Sequence, residues 1–234
     1  MEIELKTISK SFKTHKIFDN LSFSFKGSTI YGVVGPNGIG KTTLFKCIVG
    51  LLDVDKGEIL LNGKIIDSLN RNEIVCNISY LLSTGLINHL SGWENVSMFA
   101  KLFKIEENKI VGLFNEFDLA KAKDKKVKDY SLGMKQRLAL IVSLMHIERK
   151  IIILDEPYLG LDPIGIKCLN NKLLELKTDG YIIIVSNHQL HESEKIFDEV
   201  IFLTNKNIIV KKSEKANDTS LSETFEKIYA GGNE

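Results

Sequence analysis

A chain of 234 residues with 44% hydrophobic and 26% charged side chains has the composition of an ordinary globular protein, long enough for one large domain or a domain with a subdomain. Its 31 basic and 30 acidic residues leave a net charge of +1, which excludes a global field that would draw it onto nucleic acid, so no nucleic-acid partner is expected. The three cysteines, Cys47, Cys76 and Cys168, are scattered and not at metal-ligand spacing, which fits a reducing compartment rather than a disulfide framework.

Residues 1–6 alternate charge and apolarity like a strand and lack the basic region and apolar run of a signal peptide. Further strands are expected at 21–25 and 58–61, and with 3–8 they form an antiparallel group joined by short turns such as Asn62-Gly63. The run 30–34 is instead continuously apolar, the pattern of a strand buried on both faces, as are 151–154, 181–185 and 200–203. At four or five residues, these runs are far below the roughly 20 needed to cross a bilayer. After the strand at 30–34 a helix is expected over 43–49. Between about 83 and 149 the character turns helical, with segments at 92–103, 109–117 and 132–146, which reads as a helical subdomain inserted in an α/β core. The polar stretch after 211 reads as a mobile tail, residues 212–234, with a short helix toward Tyr229. Residues 1–211 then form the folded unit.

Chemistry concentrates where strands end. Gly35-Pro36-Asn37-Gly38-Ile39-Gly40-Lys41-Thr42-Thr43 matches G-x-x-x-x-G-K-[ST] between the strand at 30–34 and the following helix, which is the context a phosphate cradle needs. Glycines let backbone N–H groups turn inward around phosphate oxygens, the helix N-terminus favours negative charge, Lys41 neutralises the β- and γ-phosphates, and Thr42 can ligate Mg²⁺. Asn37, Gly38, Gly40 and Thr43 complete the expected nucleotide contacts. The apolar strand at 151–154 ends in Asp155-Glu156-Pro157. Alone it could be a solvated turn; beside the cradle, Asp155 would hold Mg²⁺ and Glu156 would polarise the attacking water.

Together with Tyr130-Ser131-Leu132-Gly133-Met134-Lys135-Gln136-Arg137, these motifs resemble the nucleotide-binding domain of ABC transporters, whose signature is LSGGQ followed by a basic residue. The likeness runs from near the N-terminus to about Lys211, and the signature separates this family from P-loop proteins at large. The resemblance implies a P-loop NTPase (RecA-like) α/β core with an N-terminal antiparallel β subdomain and the inserted helical subdomain. It implies that Ser131 and Gly133 meet the γ-phosphate of ATP held by a second copy or a homologous ATPase subunit. His188, in Ser186-Asn187-His188, matches the family's switch histidine; Gly160-Leu161-Asp162-Pro163 resembles its D-loop; Phe12 stands where an aromatic stacks on adenine.

The sequence departs from the pattern in two places. Leu132 and Met134 replace the first Gly and the Gln of the signature, a form that resembles exporters of the type-2 ABC group. Ser83 replaces the usual Gln, whose longer amide reaches Mg²⁺ and the attacking water; slow hydrolysis or one half of an asymmetric pair is the expectation. The resemblance implies an ATPase with ATP and Mg²⁺ as ligands, peripheral on the cytoplasmic face of the membrane and docked on integral membrane transporter subunits through the segment near 83–94. A soluble ABC ATPase of DNA or ribosomes would share the site, but usually carries long coiled coils or two fused ATPase domains. A regulatory subunit that binds ATP with little hydrolysis is the other alternative.

Overall fold

The structure is a computed structural model describing residues 1–67, 77–81, 85–145, 149–188, 194–204, 207–212 and 221–229. In chain order it begins with strands β1 (Glu2–Phe12), β2 (His15–Lys26) and β3 (Thr29–Val34), helix α1 (Lys41–Ile48), then β4 (Lys56–Leu61), β5 (Lys64–Ile65) and β6 (Ile78–Tyr80). Helices α2 (Gly92–Leu102), α3 (Glu107–Glu116) and α4 (Leu132–Leu144) precede β7 (Ile151–Leu154), α5 (Pro163–Thr178), β8 (Ile182–Asn187), β9 (Glu199–Leu203), β10 (Ile208–Lys212) and α6 (Leu221–Tyr229). Two sheets result. One is antiparallel, in the order β2-β1-β4-β5; the other runs β10-β9-β3-β8-β7-β6, parallel throughout except for β10.

The continuous apolar runs explain the layering. Alternate residues of a strand face opposite sides, so a strand with helices on one side and a second sheet on the other must be apolar at every position. Ile30, Val34, Ile152, Leu154, Ile183 and Val185 pack into one core with α4 and α5. Tyr31, Val33, Ile151, Ile153, Ile182 and Ile184 pack into a second core with the antiparallel sheet, and Leu44, Phe45 and Ile48 of α1 belong to the same core. Helix α1 is therefore anchored in it, which gives the loop before it a fixed base.

Helix starts follow the local chemistry. Ser91 and Glu94 form a reciprocal capping box on α2, with Ser91 Oγ accepting from the Glu94 N–H at 3.1 Å and Glu94 Oε2 accepting from the Ser91 N–H at 2.7 Å. Asp162 caps α5 ahead of Pro163, its Oδ1 accepting from the Gly165 N–H at 2.9 Å. Trp93 packs against Phe114, ring centroids 5.7 Å apart, with Lys123 Nζ 4.9 Å from its ring. It is thus part of the helical core.

Some boundaries differ from the sequence expectation. Helix α1 starts at Lys41, two residues before the expected 43, because the first turn is set by a glycine cap rather than by apolar periodicity. Helix α4 ends at Leu144, short of the expected 146. Strands β6 and β10 were not among the expected strands: each is a short edge strand ordered by main-chain pairing with a buried neighbour, β7 or β9. Of the stretch expected to be mobile from 212 onward, Lys212 instead ends β10, where main-chain pairing with β9 holds it, while 213–220, like Ser83, lie outside the described residues. Among the described residues no helix is long and apolar enough to cross a membrane.

Helix α6 returns to the core. Phe225 and Tyr229 pack ring to ring at 4.6 Å, Lys211 Nζ donates to Thr224 Oγ1 at 2.7 Å, and Tyr229 Oη lies 2.8 Å from the Leu203 carbonyl and 3.1 Å from that of Val34. The Tyr229 hydroxyl so joins the ends of β9 and β3. Tyr229→Phe is expected to lower stability by about 1 kcal/mol, the net worth of one such hydrogen bond, and a chemical denaturation curve would check it.

Candidate active site

Strand β3 is fully enclosed between β8 and β9, and its C-terminal end delivers the 35–40 loop. Gly40 caps α1 with φ +113°, and a Cβ there would fall 2.4 Å from Ile17 Cγ2. Backbone conformation and close approach both demand glycine. No side chain caps α1 and its first turn carries no acid, so the N–H groups of that turn and the helix dipole favour an anion. Asn37 and Gly38 are exposed on the loop, with Gly38 at φ +84°, and Thr43 is half-buried in the first turn.

Lys41 folds back over this loop. Its Nζ donates to the carbonyls of Gly35 at 2.8 Å and Pro36 at 3.2 Å, and the residue is only 5% exposed. Burial pushes its pKa below the ordinary lysine range, partly offset by Glu156 and Asp155.

The parallel register brings the remaining groups to the same edge. Val34 pairs with Asn187 and Leu154 with Val185, so the residues after β7 and at the end of β8 lie beside the loop. Thr42 Oγ1 donates to Asp155 Oδ2 at 2.6 Å. Lys41 Nζ lies 3.8 Å from Glu156 Oε1, and His188 Nδ1 lies 3.5 Å from Glu156 Oε2 without forming a hydrogen bond. Glu156 itself holds φ +48°, a left-handed conformation that costs a non-glycine residue roughly 1–2 kcal/mol. Ser186, fully buried at the end of β8, donates from Oγ to Asp155 Oδ1 at 2.6 Å and accepts from the Glu156 N–H at 2.8 Å.

Five expected residues, Lys41, Thr42, Asp155, Glu156 and His188, thus form one constellation from three separate segments. The adjoining hydroxyl and carboxylate oxygens of Thr42 and Asp155 fit a small hard cation that takes its other ligands from phosphate and water. A carboxylate flanked by a buried ammonium and an imidazole can polarise water next to a bound phosphate.

Ser131, Gly133 and Phe12 have other neighbours. Ser131 caps α4, its Oγ accepting from the Met134 N–H at 3.2 Å. A Cβ on Gly133 would meet the Gly160 carbonyl oxygen at 2.8 Å, so the start of α4 and the 160 turn touch through bare backbone. Gln136 Nε2 donates to the Pro157 carbonyl at 3.0 Å, and the buried Arg137 is hydrogen-bonded to Asp162 and lies 3.7 Å from Asp118. The Gly165 N–H, followed by the Arg137 guanidinium, holds the Asp162 carboxyl below the usual carboxylate range. Leu132, Leu159 and Ile164 stand 68%, 57% and 61% exposed around this region. Phe12, 47% exposed, closes the β1–β2 hairpin opposite His15, with Lys10 Nζ 5.7 Å from its ring.

Two residues escaped the sequence reading. Arg137 was seen only as part of the signature. Ser186 carried a usable signal: it is the first hydroxyl after an all-apolar strand, and parallel pairing puts it across from the acid pair.

The sequence profile of the ABC transporter family matches residues 18–159. The chain is 35% identical to the uncharacterized ABC transporter ATP-binding protein YhcH of Bacillus subtilis, over 95% of this chain and 73% of that protein. It is 32% identical to the lantibiotic transport ATP-binding protein SrtF of Streptococcus pyogenes, over 95% of each, and 34% identical to the bacitracin transport ATP-binding protein BcrA of Enterococcus faecalis, over 85% of this chain and 65% of that one. Among solved structures, an ATP-binding subunit of an ABC transporter superposes with a TM-score of 0.81 at 26% identity, covering 91% of this chain and 90% of that one. Glycine-lined cradle, acid pair and family match agree: the chain belongs to the ABC transporter family, as an ATP-binding and ATP-hydrolysing subunit.

Proposed function

We propose that this chain drives an exporter from the cytoplasmic face of the membrane, pairing with a second copy or a homologous ATPase subunit and docking on separate integral membrane subunits. The observation that carries the reading is the convergence of Lys41, Thr42, Asp155, Glu156 and His188 at one end of the parallel sheet. In this reading residues 1–211 are the nucleotide-binding unit, the helices within 83–149 carry the signature and the docking segment, and the tail that follows docks back on that unit through α6. The lantibiotic and bacitracin names of the relatives, and the signature form with Leu132 and Met134, support export.

Each residue has a part that follows from its surroundings. The 35–40 loop and the first turn of α1, with Asn37, Gly38, Gly40 and Thr43, orient the phosphates, and the Lys41 ammonium balances their charge. Phe12 offers an exposed ring to the base. Thr42 and Asp155 would hold Mg²⁺, which when bound neutralises charge on the phosphate oxygens. Glu156 takes the proton of the attacking water, and His188, whose Nδ1 stands 3.5 Å from that carboxylate, contacts the γ-phosphate. Ser131 and Gly133 stand at the start of α4 among exposed Leu132, Leu159 and Ile164; a second copy covering this face would bring its triphosphate to the α4 N-terminus. Binding energy available only in the closed pair shifts the population to it, and loss of the γ-phosphate releases it.

Affinity capture of the tagged chain from detergent-extracted membranes, followed by an ATPase assay, tests the proposal. An integral membrane protein should co-purify in fixed ratio and raise Mg²⁺-dependent ATPase activity. Recovery of the chain alone from membranes of the native cell, with full activity, would sink the transporter reading and leave a soluble ATPase.

A further inference from the structure

Ser186 belongs to none of the roles above, yet it touches both carboxylate residues. We infer that Ser186 is a positioning residue that fixes Asp155 for its cation and Glu156 for its water through a single hydroxyl; this rests on the reading of Asp155 and Glu156 given under Proposed function.

The chemistry of the three groups allows one arrangement. The Glu156 N–H can only donate and the ionised Asp155 carboxylate can only accept, so the group between them must do both. A hydroxyl does so in one atom: Oγ accepts from Glu156 N at 2.8 Å and gives its proton to Asp155 Oδ1 at 2.6 Å. Ser186 is fully buried at the end of β8, so water has no ready route to replace it. The hydroxyl's direction is thereby fixed by its partners.

Two consequences follow. Asp155 is held from both sides, Oδ1 by Ser186 and Oδ2 by Thr42. If the Thr42 oxygen turns to a cation, Ser186 remains the anchor that keeps the carboxylate facing α1. Groups that orient a metal ligand from behind typically matter by about 10- to 100-fold in metal affinity. Glu156, in turn, keeps a left-handed φ of +48° that its side chain does not favour. Its N–H bond to Ser186 opposes relaxation to an ordinary conformation, which would swing the carboxylate away from Lys41 and His188.

The test is an equilibrium titration that needs no turnover. In the Glu156→Gln chain, binding of a fluorescent ATP analogue is measured without Mg²⁺ and then as a function of Mg²⁺, with and without Ser186→Ala. Because Lys41 is anchored by the carbonyls of Gly35 and Pro36 rather than by Ser186, Mg²⁺-free affinity should change less than about 2-fold, while the Mg²⁺ concentration for half-maximal effect should rise about 10-fold. In the chain that keeps Glu156, Ser186→Ala should lower kcat about 10-fold with little change in KM for ATP, the mark of a group that matters for positioning. An unchanged Mg²⁺ midpoint overturns the inference, as does equal loss of Mg²⁺-free and Mg²⁺-dependent binding, which would mean general damage. If the chain with Ser186 intact takes up no nucleotide, the reading of the whole site fails with it.

Discussion

Replacing Glu156 by Gln is expected to leave ATP binding intact while turnover falls by roughly 100- to 10,000-fold, the usual contribution of a positioned general base. The substitution keeps size and hydrogen-bonding capacity, so the contacts toward Lys41 and His188 are weakened but not emptied. What is lost is the capacity to take a proton. The left-handed backbone of residue 156 is indifferent to the exchange, since Glu and Gln share the same Cβ constraint. With the γ-phosphate released only slowly, the closed pair should accumulate: gel filtration with ATP and Mg²⁺ should show a two-copy species that is absent with ADP. A Glu156→Gln chain that hydrolyses ATP at the parent rate would show that another group activates the water.

The second large effect is expected at Lys41. Lys41→Met keeps most of the length of the side chain and removes its charge, and nucleotide affinity should weaken by roughly 10- to 150-fold, the equivalent of about 1.5–3 kcal/mol for a charge-assisted contact. Without nucleotide the change should be milder, because the carbonyls of Gly35 and Pro36 lose a donor while a desolvated ammonium is also removed. The lowered pKa of Lys41 adds a directional check. Its ammonium form is the one that binds phosphate, and that form is lost as pH rises through the lowered pKa. Affinity for ATP should therefore decline on the alkaline side before an ordinary lysine would titrate, and Lys41→Met should remove that decline. Isothermal titration of both chains across alkaline pH reads both effects. A Lys41→Met chain that binds ATP as tightly as the parent would contradict the cradle.

Much of this arrangement was legible in residues that carry their own physics. The spacing of Gly35, Gly40, Lys41 and Thr42 marks a phosphate loop because only that combination of backbone freedom and charge serves it. The unbroken apolar runs at 30–34, 151–154 and 181–185 announce strands covered on both faces, and the observed two cores show why. Asp162-Pro163 and Ser91 before Glu94 announce helix starts through bonds that span three residues. All of these are local statements, settled within a few positions of chain.

The rest required the register of the parallel sheet. That Asp155 meets Thr42 across 113 positions of sequence, that Ser186 ties Asp155 to the Glu156 backbone, and that Tyr229 reaches back to Val34 follow from which strands pair and where they end. Main-chain pairing energy is nearly indifferent to side-chain identity, so a sequence announces that strands exist far better than it announces their neighbours. The order of residues was thus enough to establish the chemical groups and the local elements, while strand pairing and packing settled which of those groups would share one site.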